Sequence, residues 1–68
     1  MTIEQKQNFG ETIMKAREEA GVTQRDCARH CGVSIVSYQN WEHGTCEPKA
    51  EKLDMICKFL NVNKEAFV

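Results

Sequence analysis

Four cysteines and two histidines are the side chains with the most reactive chemistry to offer: Cys27, Cys31, Cys46, Cys57, His30 and His43. Cys27 and Cys31 stand four apart, on one helical face, and either histidine could add a third zinc ligand. No second Cys or His pair follows at ligand spacing. A disulfide framework would need an oxidising compartment. The start, MTIEQKQN, has neither the charged region nor the apolar stretch of a secretory signal, so a cytoplasmic location with reduced thiols is expected. Buried cysteine behaves as a small hydrophobe, which is the expectation for Cys27, Cys31 and Cys57. Cys46, in a polar loop, is expected as an exposed thiol. His43 has no nucleophile or orienting carboxylate evident around it, and neither a phosphate-cradling glycine loop nor a pair of catalytic carboxylates is visible. No enzyme, metal or cofactor is expected.

A different chemistry is available at Gln39 and Asn40. Neighbouring amides can bond adenine bidentately or contact phosphate, although polar residues on a helix face are often simply solvated. Ile35 and Val36 add two β-branched apolar residues expected at the surface. They mark either a contact surface suited to thymine methyls or ordinary surface scatter.

These residues need a helix to hold them, and the stretch from Thr23 to Gly44 supplies one. Thr23 is an N-cap with Asp26 three residues on, a capping box. Cys27, Ala28 and Cys31 follow at helical spacing, and Gly32 suits a C′ position. Val33 is expected as a buried plug. Ser34 can cap a second helix whose inward residues are Tyr38 and Trp41, closed by Gly44. The pattern predicts helices over about 23–30 and 34–42. Helix, glycine turn and helix form a helix-turn-helix, whose second helix can enter a DNA major groove.

On the N-terminal side, Phe9, Ile13, Ala16 and Ala20 recur at helical spacing up to Gly21. Thr2 with Gln5 can cap an earlier helix start, or residues 1–8 can form a loose arm. Arg17 lies on or near the apolar face, either with its stem along the core and its head in water, or as a buried cation needing an acidic partner. After the turn at 45–48, Pro48 suits the first turn of another helix. That helix turns Ala50, Leu53, Ile56, Cys57 and Leu60 inward. Asn63 can cap a last turn, KEAF, that tucks Phe67 onto the core.

The expected fold is all-α: a compact five-helix bundle with a helix-turn-helix, one domain over 1–68 with its core at about 9–67. Sixty-eight residues lie near the lower limit for a self-sufficient core, where helices with short loops are economical. No apolar run approaches the ~20 residues that span a bilayer, so no membrane partner is expected. The net charge is −1, and no block of like charge stands out along the chain. This argues against a generic polyanion binder, and a nucleic-acid function must rest on local geometry and dimerisation.

Many spaced positions together resemble one family. Gly10-Glu11, Arg17-Glu18-Glu19, Gly21-Val22-Thr23-Gln24, Ala28, Gly32-Val33-Ser34, Trp41-Glu42, Gly44, Pro48, Leu53, Ile56, Leu60 and Val62 resemble the helix-turn-helix domains of the phage repressor/Cro type, also called xenobiotic-response-element-like. The likeness runs from about residue 9 to 67. The chain departs from the pattern in using Cys27, Cys31 and Cys57 where leucine or alanine is usual, and in its few cations around the presumed DNA face. The resemblance implies a lambda repressor-like fold, binding of double-stranded DNA and a small transcriptional regulator, a repressor of phage, prophage or bacterial type. It implies that Gln24 bonds a phosphate and braces the start of the recognition helix. Ile35, Val36, Gln39 and Asn40 would meet base edges, and Ser34, Ser37, His43 and Lys49 would contact the backbone. Arg17 and Glu42 would form a buried ion pair between the first helix and the end of the recognition helix.

Such a domain is expected to work as a homodimer on a two-fold operator, with half-sites about one helical turn apart. Phe59, Met55 and Val68 are the candidate interface residues, apolar but off the inward stripe of their segment. The rival expectation is a protein-interaction module on the same fold, of antitoxin or antirepressor-partner type, which the near-zero charge favours. If the cysteines pack as hydrophobes, neither a reductant nor a chelator should change the melting curve. A loss of several degrees with the chelator would point to zinc instead.

Overall fold

The computed structural model describes residues 2–63. They form four helices, α1 (Ile3–Ala20), α2 (Gln24–Cys31), α3 (Ile35–His43) and α4 (Ala50–Leu60). The expected count of five is therefore corrected to four among the described residues. The last turn expected after Asn63, with Phe67, lies outside them.

The caps explain where the first three helices begin. Gln5 N donates to Thr2 Oγ1 at 3.1 Å and Thr2 N to Gln5 Oε1 at 2.8 Å. This box decides between the two readings of the N-terminal segment: α1 starts at Ile3, and residues 3–8 are helix rather than a loose arm. Thr23 and Asp26 form the same reciprocal pair ahead of α2, each bond 3.1 Å long. Ser34 Oγ accepts from Ser37 N at 3.1 Å and opens α3. α4 has no side-chain cap. Lys49 holds its N-cap position, so Pro48, expected within the first turn, lies just before it and is buried.

The turn between α2 and α3 is only three residues long. Gly32 adopts φ +69°, a left-handed conformation that glycine reaches without steric cost. Val33 N then donates back to Ala28 O at 3.0 Å, which closes α2 and starts the chain toward α3. Val33 is half-buried against the core rather than a fully buried plug.

α3 packs against α1 and α2, and α4 closes the bundle against the same two helices. Phe9 and Ile13 of α1, Tyr38 and Trp41 of α3, and Ile56 and Leu60 of α4 meet in one core. Tyr38 and Trp41 meet edge to face with centroids 5.8 Å apart. Cys27, Cys31 and Cys57 are buried and unbridged, and Cys46 is exposed. Burial raises the pKa of the Cys27 and Cys31 thiols above the ordinary thiol value, which keeps them protonated. Ala20 and Ala50, expected inward, are exposed, each at the terminal position of its helix. Lys52 Nζ donates to Cys31 O at 2.7 Å, placing a cation on the negative end of α2.

Gly10 sets how closely α1 and α3 approach. A Cβ there would fall against the backbone carbonyls of Glu42 and Trp41, the latter oxygen 2.7 Å away. The obstacle is backbone, so the helices would have to part. Gly10→Ala should therefore lose roughly 1–3 kcal/mol to overpacking, although alanine is the better helix former by about 1 kcal/mol. Thermal melting should show a fall of roughly 5–15 °C. An unchanged or higher melting temperature would mean that α1 and α3 do not touch here.

Candidate nucleic-acid interface

Successive helical residues are turned by about 100°, so α3 has two opposed faces. Tyr38, Trp41 and Glu42 lie on the buried one. Val36, Gln39, Asn40 and His43, spaced i, i+3, i+4, i+7, share the other. Val36 is 61% exposed and His43 is exposed, while Gln39 and Asn40 are half-buried. Ile35, 38% exposed, flanks this face at the first turn. The Asn40 side chain makes no hydrogen bond to another described residue.

The inner anchor of α3 is an ion pair. Arg17 Nε donates to Glu42 Oε2 at 2.7 Å, with side-chain exposures of 16% and 2%. Arg17 Nη1 also donates to Val22 O at 3.2 Å, so one guanidinium ties α1, the α1–α2 turn and α3 together. Of the two readings open for Arg17, the structure has the cation with its acidic partner. Burial pushes the Glu42 carboxyl up, but hydrogen bonding around it wins, from Arg17 first and with Tyr38 and Gln24 contributing. Its pKa ends below the ordinary 4.5, and the group is ionised at neutral pH. Arg17 is raised by its bond to Glu42. The buried Tyr38 hydroxyl lies near Glu42 and Cys27 yet makes no hydrogen bond of good geometry. Burial, then those two neighbours, raises its pKa far above the ordinary phenol value.

The second Glu42 oxygen leads outward. Gln24 Nε2 donates to Glu42 Oε1 at 3.0 Å, and Gln39 Nε2 donates to Gln24 Oε1 at 3.0 Å. Gln24, expected to brace the start of α3, instead reaches its middle and its end. Four of the expected site residues, Arg17, Glu42, Gln24 and Gln39, thus form one chain of bonds from the core to the surface.

Ser34 and Ser37 form a second, smaller unit. The Ser34 and Ser37 hydroxyls lie 3.0 Å apart and share one hydrogen bond. One of the two hydroxyl protons is used in that bond, which leaves the other for an outside acceptor. Lys49 stands apart, exposed at the N-cap of α4. Sequence reasoning missed the Gln24–Gln39 bond, because residues 15 apart show no periodic signal. It also missed the close approach at Gly10, which a glycine inside a helix could have signalled.

Among the described residues, no group of three or more His, Cys, Asp or Glu side chains is placed to hold a metal ion. No described helix is long and apolar enough to cross a membrane. The fold and this face define a helix-turn-helix protein: two short helices at a tight glycine turn, the second with its amides turned outward. A family model for the helix-turn-helix domain matches residues 10–68, and the chain belongs to that family. DNA binding is the activity this membership suggests. No curated protein matches the sequence closely enough to count as a relative.

Glu42 makes stability depend on pH in a definite direction. A carboxylate with a lowered folded pKa contributes stability above its unfolded value of about 4.5, and loses that contribution as pH falls through the folded value. Melting temperature should be flat near neutrality and fall on acidification, and Glu42→Gln should show a shallower acid slope. Arg17→Ala strands the carboxylate at a cost of roughly 3–5 kcal/mol, against a total of ~5 kcal/mol for a domain of this size. It should be largely unfolded at 37 °C by circular dichroism. A wild-type melting temperature for Arg17→Ala would show that the pair is not anchoring α3.

Proposed function

We propose that the protein is a sequence-specific double-stranded DNA-binding domain of phage repressor/Cro type that reads the major groove with α3. The observation that carries this reading is the outer face of α3. Val36, Gln39, Asn40 and His43 share it while Tyr38, Trp41 and Glu42 fasten the opposite side. Ile35 and Val36 supply apolar contact for thymine methyls, and Gln39 and Asn40 supply amides for base edges. Gln24, Ser34, Ser37, His43 and Lys49 are the phosphate-side residues. Phosphate contacts position the helix and base contacts specify the sequence.

The domain acts as a cytoplasmic homodimer and a transcriptional repressor, because two copies double a small set of contacts and read two half-sites. The α4 surface around Phe59 and Met55 is the proposed dimer face. Phe59 is 37% exposed and stacks on the His30 ring at a centroid distance of 4.3 Å. Val68, the third expected interface residue, lies outside the described residues. The net charge of −1 favours a second reading, a protein partner on the same face.

Fluorescence anisotropy on a duplex selected from a random pool separates the two. Few neutralised phosphates mean a shallow slope of log affinity against log salt. Gln39→Ala should lose about 1–3 kcal/mol on the selected duplex and relax preference at one base pair per half-site. Lys49→Ala should weaken selected and random duplexes alike. Equal losses for Gln39→Ala on both would remove Gln39 from the base readers. Failure to bind any duplex at low salt would favour the protein partner.

A further inference from the structure

The chain of bonds running out from Glu42 has a direction. A carboxylate can only accept, so the Gln24 amide must turn its NH2 end toward Glu42 Oε1, 3.0 Å away. The Gln24 carbonyl oxygen is then left on the α3 side, and it too can only accept. Gln39 must in turn present its NH2 to that oxygen, again at 3.0 Å. Reversing Gln39 would set one carbonyl oxygen against another. Two amides that could each face either way are thereby oriented in series by one buried charge. That charge is held by Arg17 on its other oxygen. Gln39 keeps Oε1 and one hydrogen of Nε2 unclaimed by any described residue.

We propose that Glu42, acting through Gln24, fixes the Gln39 amide so that α3 presents an acceptor with one donor beside it, and so selects adenine at the base pair Gln39 meets. This rests on the reading of α3 as a groove-reading helix. The major-groove edge of adenine offers the N6 donor next to the N7 acceptor, the complement of what Gln39 has left. Guanine offers the acceptors O6 and N7, and thymine the acceptor O4 with a methyl group. Either would face the fixed Gln39 oxygen with another acceptor. Cytosine offers a donor at N4 but no N7 beside it for the remaining N–H. A Gln39 released from Gln24 could turn over, bring its NH2 to the groove and accept guanine or thymine. Gln24 and Glu42 are positioning residues in this account. They set the base preference without touching the base.

The test uses Gln24→Leu, which has similar bulk and makes neither amide bond. The first readout needs no DNA. In nuclear magnetic resonance spectra of the free protein, the Gln39 side-chain NH2 signals should stand away from those of a solvated amide and move to them in Gln24→Leu. The second is the ratio of affinities for selected duplexes carrying adenine or guanine at the base pair where Gln39→Ala relaxes preference. That ratio should fall from about tenfold or more in the wild type to about threefold or less in Gln24→Leu, whatever happens to affinity overall. It should not change further when Gln39→Ala is added. A Gln24→Leu protein that loses affinity equally for both duplexes would overturn the proposal, leaving Gln24 a phosphate contact only. Wild-type Gln39 signals already at the solvated position would overturn it as well. If the wild type binds no duplex, the reading of α3 as a groove-reading helix fails and this proposal falls with it. A duplex bound with an unchanged ratio sinks the proposal alone.

Discussion

The structure depends on one buried carboxylate. Glu42 is the only charged residue in the core among those described, and its two oxygens serve two purposes. Oε2 takes the Arg17 guanidinium and thereby fastens the last turn of α3 to α1 and to the turn before α2. Oε1 takes Gln24, through which the order of the core extends to the amide of Gln39. A buried charge is costly unless it is paired and its remaining lone pairs are satisfied. Here the pairing also fixes how α3 is rotated about its own axis. That rotation decides which residues face outward.

The rest of the fold holds α3 at short range. Gly10 lets α1 come down onto the Trp41 and Glu42 carbonyls, and the three-residue turn at Gly32 leaves α2 and α3 little freedom of angle. Small residues recur where helices meet. Cys27, Ala28 and Cys31 on α2 let α3 and α4 pack close to it, and inert protonated thiols suit that task as well as alanine would. With a net charge of −1, the protein cannot rely on a broad positive field to hold a polyanion. Precision in placing a few polar groups is what such a surface has to offer, and the bonds around Glu42 supply it.

Much of this was legible in the residues. The caps at Thr23 and Ser34, the glycine after Cys31 and the alternation of inward and outward positions along α3 are local signals, and they marked α2 and α3 to within a residue. The burial of Cys27 and Cys31 followed from their helical spacing with Ala28, and that of Cys57 from its place in the inward stripe of α4. The resemblance to the repressor type pointed to Arg17 and Glu42, which composition alone could not pair. What escaped was either terminal or long-range. Ala20 and Ala50 fit the apolar period but are the terminal residues of their helices, where they stay exposed. Pro48 suited a first turn, yet the chain keeps it one residue outside, buried. The bond from Gln24 to Gln39 joins two helices through side chains 15 residues apart, and no pattern along a single helix encodes it.

The central claim is that the outer face of α3, held in place by Glu42, is the surface that meets DNA. Its most direct test is a titration of the isotopically labelled protein with a duplex selected from a random pool, followed residue by residue in nuclear magnetic resonance spectra. The largest shifts should fall on Ile35, Val36, Gln39 and Asn40, with Gln24 and Ser37 next, while Phe9 and Ile13 stay still. Shifts gathered instead around His30, Met55 and Phe59, or none at all at low salt, would contradict the account.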